Sequence, residues 1–457
     1  MKPKTSPNSN FETISKRIQK EMKRLRVPGV AIGIHHKGKE WTAGFGVTSL
    51  ENPLPVNSDT LMQVGSISKT FTATLLMMLA ERGKVTLDLP VRRYIKDFKL
   101  KDESVAKKVT VRHLLTHTGG WVGDYFNSFG DGDDALDKMV KDISHLPQIQ
   151  PLGKIWSCNN TGFNVASRGI EVVTKKPYEQ ALQDMLLDPL GLNMSFLYPS
   201  DILFTHRFVV GHYRKDGKTH VSRPWAIGRA GNGVGGVVST VNDLLKYARF
   251  HMGDGKSPSG NKIIKRKSLQ AMRVKQVSAG GRGDMGITWF IRYADNLTAY
   301  ARGGATNGQQ AYFFYIPEKD FALAILTNSD EGGVITAQTF GWALDLYFGI
   351  KLKSPKPMKN PQDGKEFIGR YKIGTECFDI KTKGKYLVFH HIPLGGFPTP
   401  DEPPGPALPP MRFAFYEKDN LIGLDEPYNG ALADIIRDEK GRVKYFRVGG
   451  RAHLKIK

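Results

Sequence analysis

A Lys- and Pro-rich stretch at residues 351–364, KLKSPKPMKNPQDG, lacks apolar periodicity and divides the chain into two unlike parts. Such a composition interrupts helices and strands and is typical of a linker. Beyond it, residues 365–457 carry short alternating polar and apolar runs separated by turn-forming residues, which predict a small all-β module. Seven prolines at residues 398–410 predict a loop that interrupts this module.

The part before the linker mixes helical and strand patterns. Residues 1–10 are expected to be a flexible tail, 11–26 an amphipathic helix, and 30–47 a pair of strands. An apolar helix is predicted from Ser66 onward, and the last elements are a hairpin near 311–328 and a helix at 336–350. These patterns predict an α+β domain at 11–350, with an antiparallel sheet flanked by helices and an all-α region.

Composition restricts the classes of function. The formal net charge is +22, but the basic residues are spread along the chain without a zinc-finger, RNP or arginine-rich motif, so we expect no specific nucleic-acid partner. Cys158 and Cys377 are expected to be free thiols, and no metal or cofactor is predicted. The N-terminus is polar, and the apolar run at Thr74–Ala80 is far shorter than the roughly 20 residues that span a bilayer, so a cytoplasmic protein without a membrane span is expected.

The main chemical signal is Ser66-Ile67-Ser68-Lys69. A spacing of three residues places the Ser66 hydroxyl and the Lys69 amine on one face of a helix, about one turn apart. A serine needs a nearby base to act as a nucleophile, and a lysine is such a base only when burial or positive charge lowers its pKa. Ser104 and Ser259 have a lysine at the same spacing, but only Ser66 precedes a long apolar helix.

Several segments, in order, resemble the serine β-lactamase-related (CubicO-type) family of class C β-lactamases and penicillin-binding-protein-like serine hydrolases. They are LMQVGSISKTFTATLLMMLAERGKVTLDLPVRRYI, VTVRHLLTHTGGW, IWSCNNTGFNVASRGIEVVTKKPYEQAL, LLDPLGLNMSF and GGVVSTVNDLLKYARFH. The resemblance covers residues 11–350 and implies a helical region beside an antiparallel sheet, with the active site at their junction. The C-terminal module resembles the lipocalin-like domain of some members, which implies a small β-barrel at residues 365–457.

The resemblance implies roles for individual residues. Ser66 matches the nucleophile and Lys69 its activating base, and Asn160 matches an asparagine that binds the substrate carbonyl. The backbone N–H groups of Ser66 and Ala305 match the oxyanion hole, which stabilises charge that develops during acyl transfer.

Two positions depart from the family pattern. Cys158 stands where the family has a proton-relaying tyrosine, and it is a catalytic participant, an inert replacement or a sign of lost activity. Arg302, followed by Gly303 and Gly304, stands where the family has histidine or lysine, and either binds a substrate carboxylate or forms a structural salt bridge. The two glycines suit a close approach of substrate to the backbone.

Other features leave alternatives open. Trp121 and Tyr125 follow a Gly-Gly loop and either line the substrate cleft or pack in the core. His113 and His117 are interpreted as structural, because no H-E-x-x-H glutamate accompanies them. We expect a serine hydrolase or acyltransferase that acts on an amide or ester bond of a small molecule or peptide. Hydrolysis of a D-amino-acid peptide, peptide cyclisation and ester hydrolysis all fit the resemblance, as does a substrate with a terminal carboxylate. The rivals are a catalytically silent binding protein and a binder of anionic surfaces or nucleic acid, and a homo-oligomer is left open.

Overall fold

The computed structural model describes residues 7–205, 207–225, 227–396 and 401–457. The helices are α1 to α12 in chain order, at Pro7–Leu25, Ser68–Glu81, Glu103–Lys108, Val111–Leu115, Ala135–Asp142, Asn160–Thr174, Tyr178–Leu182, Asp188–Leu190, Pro199–Ile202, Val241–Met252, Arg266–Ala271 and Gly332–Phe348.

The strands before the predicted linker are β1 to β12, at Gly29–His36, Lys39–Gly46, Met62–Gln63, His212–Lys215, Lys218–Val221, Val238–Ser239, Val277–Ser278, Asp284–Met285, Phe290–Ala294, Leu297–Thr306, Gln309–Ile316 and Phe321–Thr327. The strands after it are β13 to β20, at Gly369–Ile373, Glu376–Lys383, Tyr386–Pro393, Met411–Glu417, Asn420–Gly423, Leu432–Arg437, Val443–Val448 and Arg451–Lys455.

An antiparallel sheet of order β2-β1-β12-β11-β10-β9-β8-β7 forms the centre of the first part. Strand β1 pairs with β12 in the register Val30↔Thr327, so the two ends of this part meet inside one sheet. Helices α1 and α12 pack on one face of the sheet, and a larger cluster that includes α2 and α10 packs on the other. The predicted α+β fold with an antiparallel sheet and flanking helices is confirmed.

Helix α2 is apolar on nearly every side because it lies in the middle of the larger cluster. Phe71 of this helix stacks on Tyr247 of α10, with ring centroids 4.2 Å apart. The hydroxyls of Thr70 and Thr74 donate to backbone carbonyls one turn earlier, so their burial leaves no donor unpaired. The helix that carries Lys69 is therefore fixed on all sides by packing.

Strands β13 to β20 form a closed barrel, in which β13 pairs with β20 in the register Tyr371↔Lys455. Its interior is filled by large aromatic side chains, and the rings of Phe389 and Phe446 are 4.5 Å apart. The predicted small β-barrel is confirmed. The term lipocalin-like and the domain division at residues 351–364 stay predictions.

The N-terminus differs from the expectation. Helix α1 begins at Pro7, so residues 7–10 of the predicted tail are helical, while 1–6 lie outside the described residues. Residues 398–400 of the predicted Pro-rich loop also lie outside them. Across the described part of the chain, no helix combines the length and apolarity needed to cross a membrane. The cytoplasmic location stays a prediction.

Candidate active site

Ser66 lies half-buried in a tight helical turn, Gly65–Ile67, that leads directly into α2. Gly65 has a φ of +52°, and a β-carbon at this position would lie 2.6 Å from the backbone nitrogen of Ala305. Glycine at residue 65 thus permits both the left-handed backbone and the close contact with β10. This contact places the turn that carries Ser66 against the sheet, at the junction where the family resemblance predicts the active site.

Lys69 is fully buried, and its Nζ lies 2.7 Å from Ser66 Oγ and 2.9 Å from the carbonyl oxygen of Val234. The pKa of Lys69 is lowered from 10.5 to about 7, mainly by burial and also by the charges of Arg302 and Arg451, while the charges of Cys158 and Asp124 act in the opposite direction. A large fraction of Lys69 is therefore neutral near pH 7 and can accept the Ser66 proton.

The last residues of strand β10 contact the Gly65–Ile67 turn. The pairing of β10 with β9 stops at Ala301↔Phe290, so on that edge the stretch from Arg302 to Thr306 faces the turn, while its other edge stays paired with β11 as far as Thr306↔Gln309. A β-carbon on Gly304 would lie 1.9 Å from Val64 O, whereas one on Gly303 would meet nothing closer than 3.6 Å. Of the two glycines, Gly304 is thus the one that the close approach requires.

The triplet Cys158-Asn159-Asn160, called the second motif below, lies at the start of α6. Asn160 Nδ2 donates to Asp124 Oδ1 at 2.6 Å, and the side chain of Asn159 accepts from Gly162 N as the helix cap. Cys158 is partly exposed. Burial raises the pKa of its thiol, but the positive charges of Arg451, Lys69 and Arg302 outweigh burial and bring this pKa below its ordinary value of 9.0.

Arg302 is only 2% exposed and is held by groups of the protein. Its guanidinium donates to Ser66 O at 3.3 Å and to Thr288 O at 3.0 Å, and one terminal nitrogen lies 3.1 Å from His117 Nε2. Burial lowers the pKa of Arg302 to about 10. This environment favours the structural alternative for Arg302, although its partners are carbonyls and a histidine rather than the carboxylate of a salt bridge.

The C-terminal barrel reaches this site through the turn between β19 and β20. Arg451 forms a bidentate ion pair with Asp124, the partner of Asn160, at 2.6 and 3.0 Å. Cys158 N donates to Gly450 O at 2.9 Å. Sequence reasoning missed Asp124 and Arg451, because no local pattern joins residues that far apart in the chain. A signal for Asp124 was its carboxylate in an otherwise uncharged Gly- and Trp-containing loop.

The aromatic residues proposed for the cleft occupy different positions. Trp121 is 2% exposed and donates Nε1 to Thr161 Oγ1, an environment that favours the core-packing alternative. Tyr125 is partly exposed and bonds Asp142 through its hydroxyl. Phe290, which sequence reasoning missed, lies edge-on to Trp156 with centroids 5.3 Å apart, beside the Arg302 guanidinium.

The other residues considered from sequence lie apart from this chemistry. Ser104 donates Oγ to Asp102, and Lys107 pairs with Glu103. His113 contributes to the capping box of α4. In the part of the chain that the structure describes, no group of three or more His, Cys, Asp or Glu side chains is arranged to hold a metal ion.

Comparisons with known proteins identify the family and the fold to which this chain is similar. A family model described as Beta-lactamase matches residues 14–345. The chain is 31% identical to penicillin-binding protein 4 of Amycolatopsis lactamdurans, over 76% of this chain and 93% of the relative. The structure is similar to that of SurE with D-Leu (TM-score 0.75, 21% identity, covering 98% and 100% of the two chains). It is also similar to class C beta-lactamase from Rhodobacter sphaeroides (TM-score 0.57, 22% identity, covering 71% and 97%).

Proposed function

Because this chain belongs to the beta-lactamase family of serine hydrolases, we propose that it transfers an acyl group from an amide or ester through an acyl-enzyme on Ser66. The observation that carries this proposal is the 2.7 Å contact between Lys69 Nζ and Ser66 Oγ at a site where the amine is fully buried. A desolvated lysine within hydrogen-bond reach of a serine is a general base for that serine.

The reaction begins when neutral Lys69 accepts the Ser66 proton and Oγ attacks the substrate carbonyl. The backbone N–H groups of Ser66 and Ala305 stabilise the oxyanion that forms. The tetrahedral intermediate then breaks its bond to the amine or alcohol, which leaves with the proton from Lys69. Water or an amine then attacks the acyl-enzyme while Lys69 accepts its proton. The second tetrahedral intermediate breaks its bond to Ser66 Oγ, which regains the proton from Lys69, and the acid or the new amide is released.

Cys158 is proposed to assist proton transfer in this sequence. The charges of Arg451 and Arg302, and that of Lys69 when it is protonated, bring the pKa of the thiol below the ordinary value of 9.0. A thiol with a lowered pKa exchanges protons near neutral pH more readily than a buried hydroxyl. These surroundings support the participant alternative over the inert one, and they do so at the position where the family has tyrosine.

We place the recognition of an anionic substrate group at Arg282 rather than at the enclosed Arg302. Arg282 is exposed, and it forms no ion pair with any residue that the structure describes. Its guanidinium carbon lies 5.9 Å from the ring centroid of Phe290, and that of Arg302 lies 5.5 Å from the same centroid. An exposed guanidinium beside an aromatic ring suits a carboxylate with an apolar side chain. A D-amino acid residue is proposed as this unit, by analogy with SurE with D-Leu.

The test is intact-mass detection of a covalent adduct with a neutral fluorophosphonate and with a β-lactam. Wild-type protein should gain one adduct that maps to Ser66, and Ser66→Ala should gain none. Ser104→Ala is the matched control, because Ser104 also precedes a lysine by three residues but lies in an exposed helix. Wild-type protein without an adduct would instead support the silent binding protein as the function.

A further inference from the structure

We propose that Arg451 of the C-terminal barrel is a positioning residue for acyl transfer, because it holds Asp124, which in turn holds Asn160 of the second motif. This inference rests on the proposed function of Ser66. It makes the barrel a structural component of the active site of the preceding domain.

Two short hydrogen-bonded links carry the inference. Both terminal oxygens of Asp124 accept from the Arg451 guanidinium, and Oδ1 also accepts from Asn160 Nδ2 at 2.6 Å. The Asp124 side chain is 7% exposed and that of Arg451 24% exposed, so the pair is largely shielded from water. Removal of either partner leaves a buried charge without its counter-ion. Loss of Asp124 also removes the acceptor of Asn160 Nδ2, and loss of Arg451 removes the group that holds this acceptor in place.

The barrel backbone fixes Arg451 from both sides. Before it, Gly450 O accepts from Cys158 N at 2.9 Å. After it, Ala452 N donates to Ser157 Oγ at 3.1 Å, and Ala452 O accepts from Gln150 Nε2 at 2.7 Å. These contacts join the turn to the residues just before Asn160. The position of the Arg451 side chain is therefore set by the same segment whose geometry it supports.

The charges of the pair act on Lys69 in opposite directions. The positive charge of Arg451 lowers the pKa of Lys69, and the negative charge of Asp124 raises it. The other charged or titratable groups around Lys69 include Arg302 from β10, Cys158 from the segment before α6, and the buried His117, on which the charge of Lys69 acts. Loss of Arg451 alone should raise the pKa of Lys69, and loss of the Asp124 charge alone should lower it.

The experiment uses the full-length protein and a neutral activated ester, with acylation of Ser66 followed by mass from about pH 5.5 to 9. Arg451→Gln and Asp124→Asn should each slow acylation by about tenfold or more. The acidic limb of the pH–rate profile should move in opposite directions in the two variants, to higher pH for Arg451→Gln and to lower pH for Asp124→Asn. Arg451→Lys should keep the wild-type limb, because it keeps the charge, but should recover only part of the rate, because it lacks the bidentate fork.

The matched control is Arg447→Gln. Arg447 forms a bidentate pair with Asp434 and donates to Trp156 O at the same interface, but it does not contact Asp124. This variant should lose thermal stability and keep the wild-type pH limb. Thermal melting of every variant identifies any loss of acylation rate that arises only from unfolding. If Arg451→Gln fails to fold, Arg451→Lys and Asp124→Asn still test the inference.

Two outcomes would overturn the inference. One is wild-type acylation of the neutral ester by Arg451→Gln, which would mean that Arg451 acts on a charged substrate group and not on Asn160. The other is a shift of the acidic limbs of Arg451→Gln and Asp124→Asn in the same direction. Failure of the proposed function is distinguishable, because wild-type protein would then form no adduct at Ser66 with the same ester.

Discussion

Gly304 lies so close to the nucleophile that a β-carbon on it would stand 2.9 Å from the backbone nitrogen of Ser66. The same β-carbon would overlap Val64 O at 1.9 Å. The end of β10 is therefore in backbone contact with the Gly65–Ile67 turn, called the nucleophile turn here because it carries the proposed nucleophile, Ser66. The two amides proposed for the oxyanion hole belong to this contact, so its spacing controls their alignment.

Gly304→Ala should separate β10 from the nucleophile turn and slow acylation of a neutral ester by about 10²-fold, the usual effect of losing one oxyanion donor. Gly303→Ala is the control, because its β-carbon meets no atom closer than 3.6 Å. Stopped-flow acylation of both variants tests the difference. Equal rates for the two variants would exclude a role for the Gly304 contact.

The rate of acylation should depend on the protonation of Lys69. Because the pKa of Lys69 is lowered to about 7, the rate should rise about tenfold per pH unit below that value and level off above it. The measurement is the second-order rate constant for a neutral ester between about pH 5 and 9. A rate that does not change between pH 5.5 and 8 would rule out Lys69 as the base.

Lys69→Met should abolish acylation and yet stabilise the fold at neutral pH. Lys69 has an ordinary pKa of 10.5 when unfolded and one of about 7 when folded, so the unfolded chain binds more protons between these values. Wild-type stability from this residue is therefore present above pH 10.5 and is lost as the pH falls toward 7. At pH 7 the methionine variant should gain about 1–3 kcal/mol in the free energy of unfolding. Denaturant titration at pH 7 and 10 should show this gain shrinking as the pH rises.

Cys158→Ser should slow turnover by about 10²-fold, because serine keeps the size of cysteine but not its acidity. Burst kinetics with a chromogenic ester separates acylation from release of the acyl group. Nearly unchanged turnover in Cys158→Ser, together with faster turnover in Cys158→Tyr, would identify the thiol as an inert replacement for tyrosine.

Arg282→Gln should weaken kcat/KM for substrates with a free carboxylate by about 10-fold or more, and should leave their amides nearly unchanged. Arg302→Gln should instead slow both substrate classes alike, because Arg302 donates to Ser66 O and supports the nucleophile turn. The comparison needs one pair of esters that differ only at this group. A selective loss in Arg302→Gln would return carboxylate recognition to Arg302.

Local geometry explains what the sequence could predict. The contact of Ser66 with Lys69 follows from helical spacing, and the pairing of β11 with β12 follows from two apolar runs around a short turn. The family resemblance located Asn160 and the end of β10. Each of these predictions depended on residues near one another in the chain, or on several motifs in a fixed order.

Tertiary contacts explain what the sequence could not predict. The ion pair of Arg451 with Asp124 joins residues 327 positions apart. The burial of Trp121 depends on Thr161 of α6, and a Gly-Gly loop does not reveal which side of the next residue is covered. Arg302 carries the charge expected of a substrate-binding residue, but its guanidinium is buried and donates to carbonyl oxygens of the protein itself.

The Gly449–Gly450 turn also limits how this protein can evolve. Both glycines have positive φ angles, and the turn presents Gly450 O to Cys158 and Arg451 to Asp124. A recombination event that exchanged the barrel for that of another lineage would break these bonds at once, unless the donor carried the same turn and arginine. A replacement barrel therefore has to present the same carbonyl oxygen and guanidinium to a segment almost 300 residues earlier in the chain, so the two parts of this protein are not freely interchangeable.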